Sequence, residues 1–389
     1  MNDIRLIINN IKLKLKEHQY LGYDPYDLSN SNLKLFVKQS TGIQAKLSFI
    51  NKISPINFRK ILKIPMCINS KANALILNSL IIDDYNKNKS EINKLVTYFL
   101  NNKPNDFSDE YFSSGFTFKI SLSEYTSGPG VTSLIISLFV IYAFLDLFKY
   151  SNDPLIYECI YKFKNLLENK LPNVETVDEI YYSYHFNKFA EVPNATAKIG
   201  KFYAKLYSID PKDVYLIKIK KILNYLYRVQ RSDGSWPYSE LLNYSDGFHT
   251  AFILDSIYEM NKYVNNEHYN ELFGRSLYNY KSNLFDGNRP LHFHRKYNKS
   301  QGRSFILETE LRDCANAIIL FSKIADNDFA IKVVNWTIDN LFDKKKNVAY
   351  FFDNKFYTSK IDYIRWQAWL LFALCNFINN RKKQLSSLY

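Results

Sequence analysis

Apolar residues recur along the chain at helical spacing, and they come in pairs of unlike segments. The stretch from Leu134 to Phe148, LIISLFVIYAFLDLF, is apolar almost all the way round, whereas Asp153 to Leu171 keeps its apolar residues on one face. An all-round apolar helix must be buried and a one-faced helix can lie at a surface, so the two predict the inner and outer helices of one hairpin. The alternation returns at Asn194 to Ser208 with Val214 to Val229, at Gly247 to Tyr263 with His268 to Asn283, and at Glu310 to Ile324 with Asp328 to Phe342. A last helix is expected over Tyr363 to Asn379. Inner helices then repeat every ~50 to 60 residues, longer than tetratricopeptide repeats and suited to hairpins closed into a ring. The expected fold is all-α, an α/α toroid of about six helical hairpins around one shared core.

Residues 1–115 are less regular. Gly22-Tyr23-Asp24-Pro25-Tyr26-Asp27 reads as a turn, and Asn57 to Met66 reads as a helical approach to the first hairpin. With no clean boundary, residues 1–115 are expected to pack on a barrel formed by 116–389. Few stretches read as strand. The links between hairpins hold Ser127-Gly128-Pro129-Gly130, Asp233-Gly234-Ser235-Trp236-Pro237 and Asp286-Gly287-Asn288-Arg289-Pro290. In a toroid such links gather at the two ends, where a rigid scaffold presents functional loops.

Composition changes this picture little. Of 389 residues, 47% are hydrophobic, with 31 Tyr and 29 Phe, ample for a large core. No segment approaches the roughly 18 uninterrupted apolar residues of a membrane span. The opening segment MNDIRLIINNIKLKLKEHQY is broken by charges and lacks the apolar core of a signal peptide, so a cytoplasmic product is expected. A net charge of +13 invites a nucleic-acid reading. Against it, lysines are dispersed among Asn, Ile, Tyr and Phe, and the longest basic run is Lys344 to Lys346, the bias of an AT-rich genome. No nucleic acid is expected as a partner; a diffuse positive field favours an anionic sugar or a membrane surface only weakly. Cys67, Cys159, Cys314 and Cys375 form no C-x-x-C pair and are expected as buried free thiols, with neither a disulfide framework nor a zinc site.

The most informative stretch is Gln230 to Tyr238, QRSDGSWPY, followed by Asp246-Gly247-Phe248-His249-Thr250. In the first, Asp233 and Gly234 can end a helix in a tight turn while Trp236 plugs the barrel end; Asp233, Trp236 and Tyr238 are equally candidates to line a sugar cleft. In the second, Asp246 is placed as an N-cap with His249 in the first turn. Either Asp246 only caps, or an acid beside a histidine at a helix N-terminus forms a proton-transfer pair. His292 and His294 offer two metal-facing nitrogens, yet H-x-H without a third ligand is a weak metal signal, and no metal or cofactor is expected. Glu308, Glu310 and Arg312 open another inner helix and can face the cavity, although carboxylates at a helix start are also ordinary caps. Arg365, Trp366 and Trp369 begin the last helix: a guanidinium and aromatic faces suit a charged sugar, and core packing explains Trp369 equally well. Tyr184 or His185, before another inner helix, can complete the cleft.

Taken in order, YDPYDLSN, SPINFR, EVPNATAKIGKFYAKLY, QRSDGSWPY, DGFHTAFILDSIYE, LFDGNRP and YIRWQAW resemble bacterial polysaccharide-biosynthesis proteins of the VpsJ type. The resemblance spans nearly the whole chain and is most specific after residue 180. It implies a six-hairpin, carbohydrate-active toroid associated with capsule, exopolysaccharide or lipopolysaccharide assembly, and a possible peripheral association with membrane-bound assembly machinery. The chain departs from it at Glu310-Leu311-Arg312, where the resemblance leads one to expect an acid-x-His pair.

The expected function is therefore acid/base chemistry on a sugar, as an epimerase, lyase or hydrolase, with Asp246 and His249 moving protons, Glu310 assisting, and Arg312 or Arg365 holding a carboxylate or phosphate. The alternative is a non-catalytic glycan-binding or scaffold protein of the same pathway. Terpene cyclisation is a remote third reading, because the chain has one Q-x-x-D-G-S-W and neither a D-x-D-D nor a D-D-x-x-D motif.

Overall fold

The computed structural model of the chain describes residues 2–32, 46–47, 50, 54, 56–121, 126–264, 266–297, 308–350, 352–353 and 357–386. Eleven helices among them carry the architecture: α1 Asn2–Glu17, α2 Ser70–Asn101, α3 Leu134–Ser151, α4 Pro154–Lys170, α5 Pro193–Tyr207, α6 Asp213–Val229, α7 Gly247–Asn261, α8 Glu267–Asn283, α9 Leu311–Lys323, α10 Asn327–Leu341 and α11 Ile364–Ser386.

Helix starts follow from their caps. Ser133, Asp153, Asp246 and Asn266 each accept a backbone N–H of the first turn, satisfying a donor the helix itself cannot. Pro154 and Pro193 stand in the first turns of α4 and α5, where no N–H is needed. The observed helices match the expected ones to within a few residues from Leu134 onward, except that α11 runs seven residues past the expected end at Asn379.

Six helices form a closed inner wall in the order α11, α2, α3, α5, α7, α9 and back to α11, and α4, α6, α8, α10 and α1 pack outside α3, α5, α7, α9 and α11. The sixth pair comes from α2 alone. Its backbone is extended at Asp84, which breaks it into an almost fully buried first half and a second half that buries only Asn88, Ile92, Leu95 and Phe99. Asn88 Nδ2 donates to the carbonyls of Leu80 and Asp84, partners that the break leaves without N–H groups. The fold is therefore an all-α toroid of six inner and outer pairs.

The approach to this ring differs from expectation. Asn57 to Met66 forms turns, held by Arg59, which is fully buried, bonds Asp27 at 3.0 Å and lies 4.6 Å over the Tyr363 ring. The helix starts at Ser70 because Asn69 caps it, accepting from the Ala72 N–H at 2.9 Å while its amide donates to Asp24 at 2.6 Å. The expected turn at Gly22 to Asp27 is present, and Asp24 accepts from the Tyr26 N–H within it.

Helix α3 is long and apolar enough to cross a membrane by length and composition. Here that composition serves the inner wall: Leu138, Val140, Ile141, Ala143, Phe144 and Leu145 are all fully buried, and each large apolar side chain so buried contributes about 1.5–3 kcal/mol. Each outer helix runs back along its inner partner, so the inner helices point one way and their N-termini share one end of the ring. Short antiparallel pairs fasten the links, including Thr309–Glu310 with Phe352–Asp353 and Phe285–Asp286 with Arg289–Pro290. Cys159, Cys314 and Cys375 are buried free thiols as expected, whereas Cys67 is only half-buried, its strand lying at the edge of the ring.

Candidate active site

The segment leaving α6 decides where α7 begins. Gly234 adopts φ +86°, and a Cβ there would stand 2.6 Å from the Arg275 carbonyl oxygen, so the turn demands glycine. Asp233 Oδ1 accepts from the Ser235 N–H at 3.1 Å, and the Tyr297 hydroxyl donates to Oδ2 at 2.9 Å. Trp236 is buried and donates its indole N–H to the Leu226 carbonyl at 3.0 Å. These bonds staple the end of α6 and set Pro237 and Tyr238 against the start of α7.

Asp246, 3% exposed, then caps α7 with both oxygens engaged by one residue. Oδ1 accepts from the His249 N–H at 2.8 Å, and Oδ2 lies 2.6 Å from His249 Nδ1. The N-cap geometry fixes the backbone of the first turn, and the second contact fixes the imidazole. His249 Nε2 has no hydrogen-bond partner among the described residues. Asn194, Trp236, Tyr238, Asp246, His249 and Thr250 line a narrow cavity with room for about one water molecule. Tyr238 stacks on Tyr244 at 4.9 Å and meets the His249 ring edge-on at 4.8 Å. Asn194 is buried with its Nδ2 unpartnered.

Burial lowers the basicity of His249 more than Asp246 raises it, and the nearby Arg312 and Lys71 charges lower it further. Burial pushes the Asp246 carboxyl upward, but its bonds to His249 and the charges of His249 and His292 hold it below the usual carboxylate range. The pair is thus an aspartate and a neutral imidazole whose proton sits on Nδ1, leaving the Nε2 lone pair open.

Behind it lies a second pair. His292, 7% exposed, directs Nδ1 to Asp313 Oδ2 at 2.9 Å, and that oxygen also accepts the Glu310 N–H at 3.0 Å. Gly247 lets α7 approach this pair: a Cβ on it would lie 2.6 Å from the Leu291 carbonyl and 3.0 Å from Asp313 Oδ1. Burial alone would lower His292, yet Asp313, Glu310 and Asp246 together raise it above an ordinary imidazole. Burial and the neighbouring carboxylates Glu310 and Asp246 raise Asp313 as well, so the pair holds its shared proton tightly.

Glu310 is fully buried as the N-cap of α9, in a reciprocal capping box with Asp313, and its carboxylate binds the Arg312 guanidinium, with Arg312 Nη2 at 2.7 Å from Oε2. Arg312 lies 4.1 Å over the Phe248 ring and 5.4 Å over Trp366. Arg365 is paired with Asp24 at 2.7 Å, and Trp366 is buried in the wall. Both arginines expected to hold an anion therefore already face a carboxylate. Glu308 turns outward to Arg289 at 2.9 Å. His185 packs edge-on against Tyr184, and neither it nor Asp233 lines the cavity with His249.

The H-x-H pair is divided between separate partners. His294 accepts the Lys296 N–H on Nδ1, which leaves Nε2 to donate to Asn279 at 3.1 Å; burial pushes this imidazole down to about 4. Three residues near the cavity were not singled out by sequence: Asp313, Lys71 and Lys198. Lys198 had a signal, because a lysine three residues after Ala195 and four before Phe202 falls on the buried stripe of α5.

No family model matches the sequence, and neither does any curated protein. Solved structures do match. A sugar epimerase from a ruminal bacterium is 13% identical over 82% of this chain and 90% of its own, with a TM-score of 0.60. Cellobiose 2-epimerase from Spirochaeta thermophila is 11% identical over 82% of this chain and 87% of its own, also at 0.60. A GH76 alpha-mannanase from Bacteroides thetaiotaomicron is 12% identical over 93% of this chain and all of its own, again at 0.60. At these identities the likeness establishes the toroid.

Proposed function

We propose that the toroid is an enzyme that performs acid/base chemistry on a sugar, with His249 as the proton-transfer group and Asp246 as the residue that orients it. The observation that carries this reading is the Asp246–His249 pair on the cavity wall, with a 2.6 Å contact at Nδ1 and nothing bonded to Nε2. Aspartate fixes the tautomer and stabilises the imidazolium when it forms, the logic that makes such pairs effective bases.

The chemistry that suits a single neutral imidazole is removal of a proton from a carbon beside a sugar carbonyl. Nε2 takes the proton, and the C–H electron pair moves into the carbonyl to leave an enolate oxygen. Rotation of the bound enolate about the adjacent C–C bond presents its opposite face to the same imidazolium, whose return of the proton gives an epimer; expelling a leaving group from the next carbon gives an unsaturated product instead. Arg312, stacked on Phe248 beside His249, is ion-paired with Glu310 and is not assigned to the oxygen anion. Glu310 holds Arg312 in this arrangement and is not assigned a proton-transfer step.

Glycoside hydrolysis fits less well, since it calls for two carboxylates with one free to donate a proton. Asp246 is committed to His249, and Glu310 to Arg312. Placement in surface-polysaccharide assembly, alongside membrane-bound machinery, rests on the sequence resemblance to VpsJ-type proteins.

The test is to incubate the protein in D2O with reducing mono- and oligosaccharides, including uronic-acid and phosphorylated sugars, and to follow the carbon next to the carbonyl by NMR. Deuterium should enter with wild type and not with His249→Gln. A sugar that binds equally to both proteins and emerges without deuterium would establish the second reading, a non-catalytic glycan-binding protein.

A further inference from the structure

We infer that Lys71 and Lys198 form a subsite for a phosphate group carried by the substrate. The assignment deepens the sugar reading and rests on it for the remainder of the ligand.

The two lysines enter from different walls, Lys71 from the first turn of α2 and Lys198 from α5, and reach the same ring. Lys71 Nζ stands 4.7 Å from the centroid of Phe139 and Lys198 Nζ 4.5 Å from it, so the ammonium groups are no further apart than the sum of these distances. Lys198 also lies 3.4 Å over Phe252, and Lys71 5.7 Å from Trp369. Aromatic faces attract a cation but accept no conventional hydrogen bond, and each ammonium has three N–H donors. Neither amine has a hydrogen bond or ion pair among the described residues. The Trp369 indole N–H is buried and likewise has no acceptor among the described residues.

The neighbouring carboxylates have other partners. Glu310 is matched with Arg312 and Asp24 with Arg365. Asp255 binds Lys201 and Lys323, and Glu259 binds Lys323 and Lys262. What is left over is two lysine amines which, once protonated, complement a dianion rather than a neutral hydroxyl. Burial first, then the charges of Arg365, Arg312 and Lys198 around Lys71 and of Lys201 and Lys323 around Lys198, push both amines well below an ordinary lysine, and a bound phosphate would favour their protonation.

The subsite adjoins the proton-transfer pair. Asn194 and Lys198 are four residues apart on one face of α5, with Asn194 lining the His249 cavity. Phe252, under Lys198, is one turn beyond His249, their ring centroids 6.4 Å apart. A sugar ring over the cavity therefore places a phosphate substituent or a diphosphate link on the lysines.

The experiment is calorimetric titration of the full chain with inorganic phosphate, pyrophosphate and glucuronate, repeated with Lys71→Met and Lys198→Met. Wild type is expected to bind phosphate or pyrophosphate more tightly than glucuronate, and each substitution should weaken this on the order of 10- to 100-fold. Tighter binding of pyrophosphate than of phosphate would point to a diphosphate-linked sugar, the reverse to a sugar monophosphate. Without ligand, both variants should melt at or above the wild-type temperature, because each replaces an amine that has no hydrogen-bond partner among the described residues with an apolar side chain beside aromatic rings. Undetectable phosphate binding at millimolar concentration, unchanged binding in both variants, stronger glucuronate binding, or a variant that melts several degrees lower would each overturn the assignment. His249→Gln should bind phosphate as wild type does, so a failure of the proton-transfer reading and a failure of this subsite register separately.

Discussion

The His249–Asp246 and His292–Asp313 pairs both pack against the Phe248 ring, at centroid separations of 3.7 and 6.4 Å from their imidazoles, and are built from the same two side chains. Their proton affinities nevertheless diverge. His249 answers to one close carboxylate and feels Arg312 and Lys71, so burial wins and the ring stays neutral. His292 faces Asp313 with Glu310 and Asp246 behind it, and three carboxylates overcome burial. A histidine–aspartate contact is thus a base in one surrounding and an ion pair in the other; what separates them is the charge count in the next layer and whether Nε2 meets a cavity.

The largest effect expected is on turnover. His249→Gln should lower kcat by about 10²- to 10⁴-fold on the substrate identified by deuterium exchange, the range for a lost general base. An unchanged rate would erase the distinction drawn here. Asp313→Asn should act on stability, lowering the free energy of unfolding by about 3–5 kcal/mol in urea titrations, because it breaks a buried pair and half of a capping box. A loss under ~1 kcal/mol would mean that the second pair is not structural.

The pH dependence should run in opposite directions. His249, below the ordinary imidazole value when folded, takes up its proton more readily in the unfolded chain, so its contribution to stability falls as pH drops through about 6.5. His292 is raised, so its contribution is full below about 6.5 and is lost as pH rises through the higher folded value. Urea midpoints between pH 5 and 8 should show His249→Gln removing acid sensitivity and His292→Gln removing alkaline sensitivity. Equal slopes for both variants would contradict the assignment. The smallest effect belongs to Asp233→Ala, which should cost about 1 kcal/mol through its turn bonds while leaving kcat and KM unchanged.

Sequence periodicity located the helices from Leu134 onward because each carries apolar residues at helical spacing over three or more turns. It passed over α2 for a physical reason. The buried half of that helix carries Asn73, Asn78 and Ser79, and the Asn78 amide N–H donates to Asp146 on α3, so the apolar stripe is interrupted by polar residues, one of which finds its partner on another helix of the ring. Asp246 and His249 were legible because cap and first turn are three residues apart. The His292–Asp313 pair joins residues 21 apart through a link and a helix start, so local spacing offers no sign of it. Glu310 and Arg312 were recognised as neighbours, but not as a pair that neutralises itself.

The ring is closed by its extremes. Helix α1 packs on α11, and Asn10 donates to Asn347 at 3.1 Å across 337 positions of sequence. Loop closure over such a span is the costliest contact to form early, so an open cylinder must persist until α11 docks between α2 and α9. While the seam is open, Lys71 and Lys198 remain in water, and their dehydration is deferred to the closing step. Closure is then a late event, governed by interior charge as much as by apolar area, and a multivalent anion would act as a folding ligand that slows the seam's reopening.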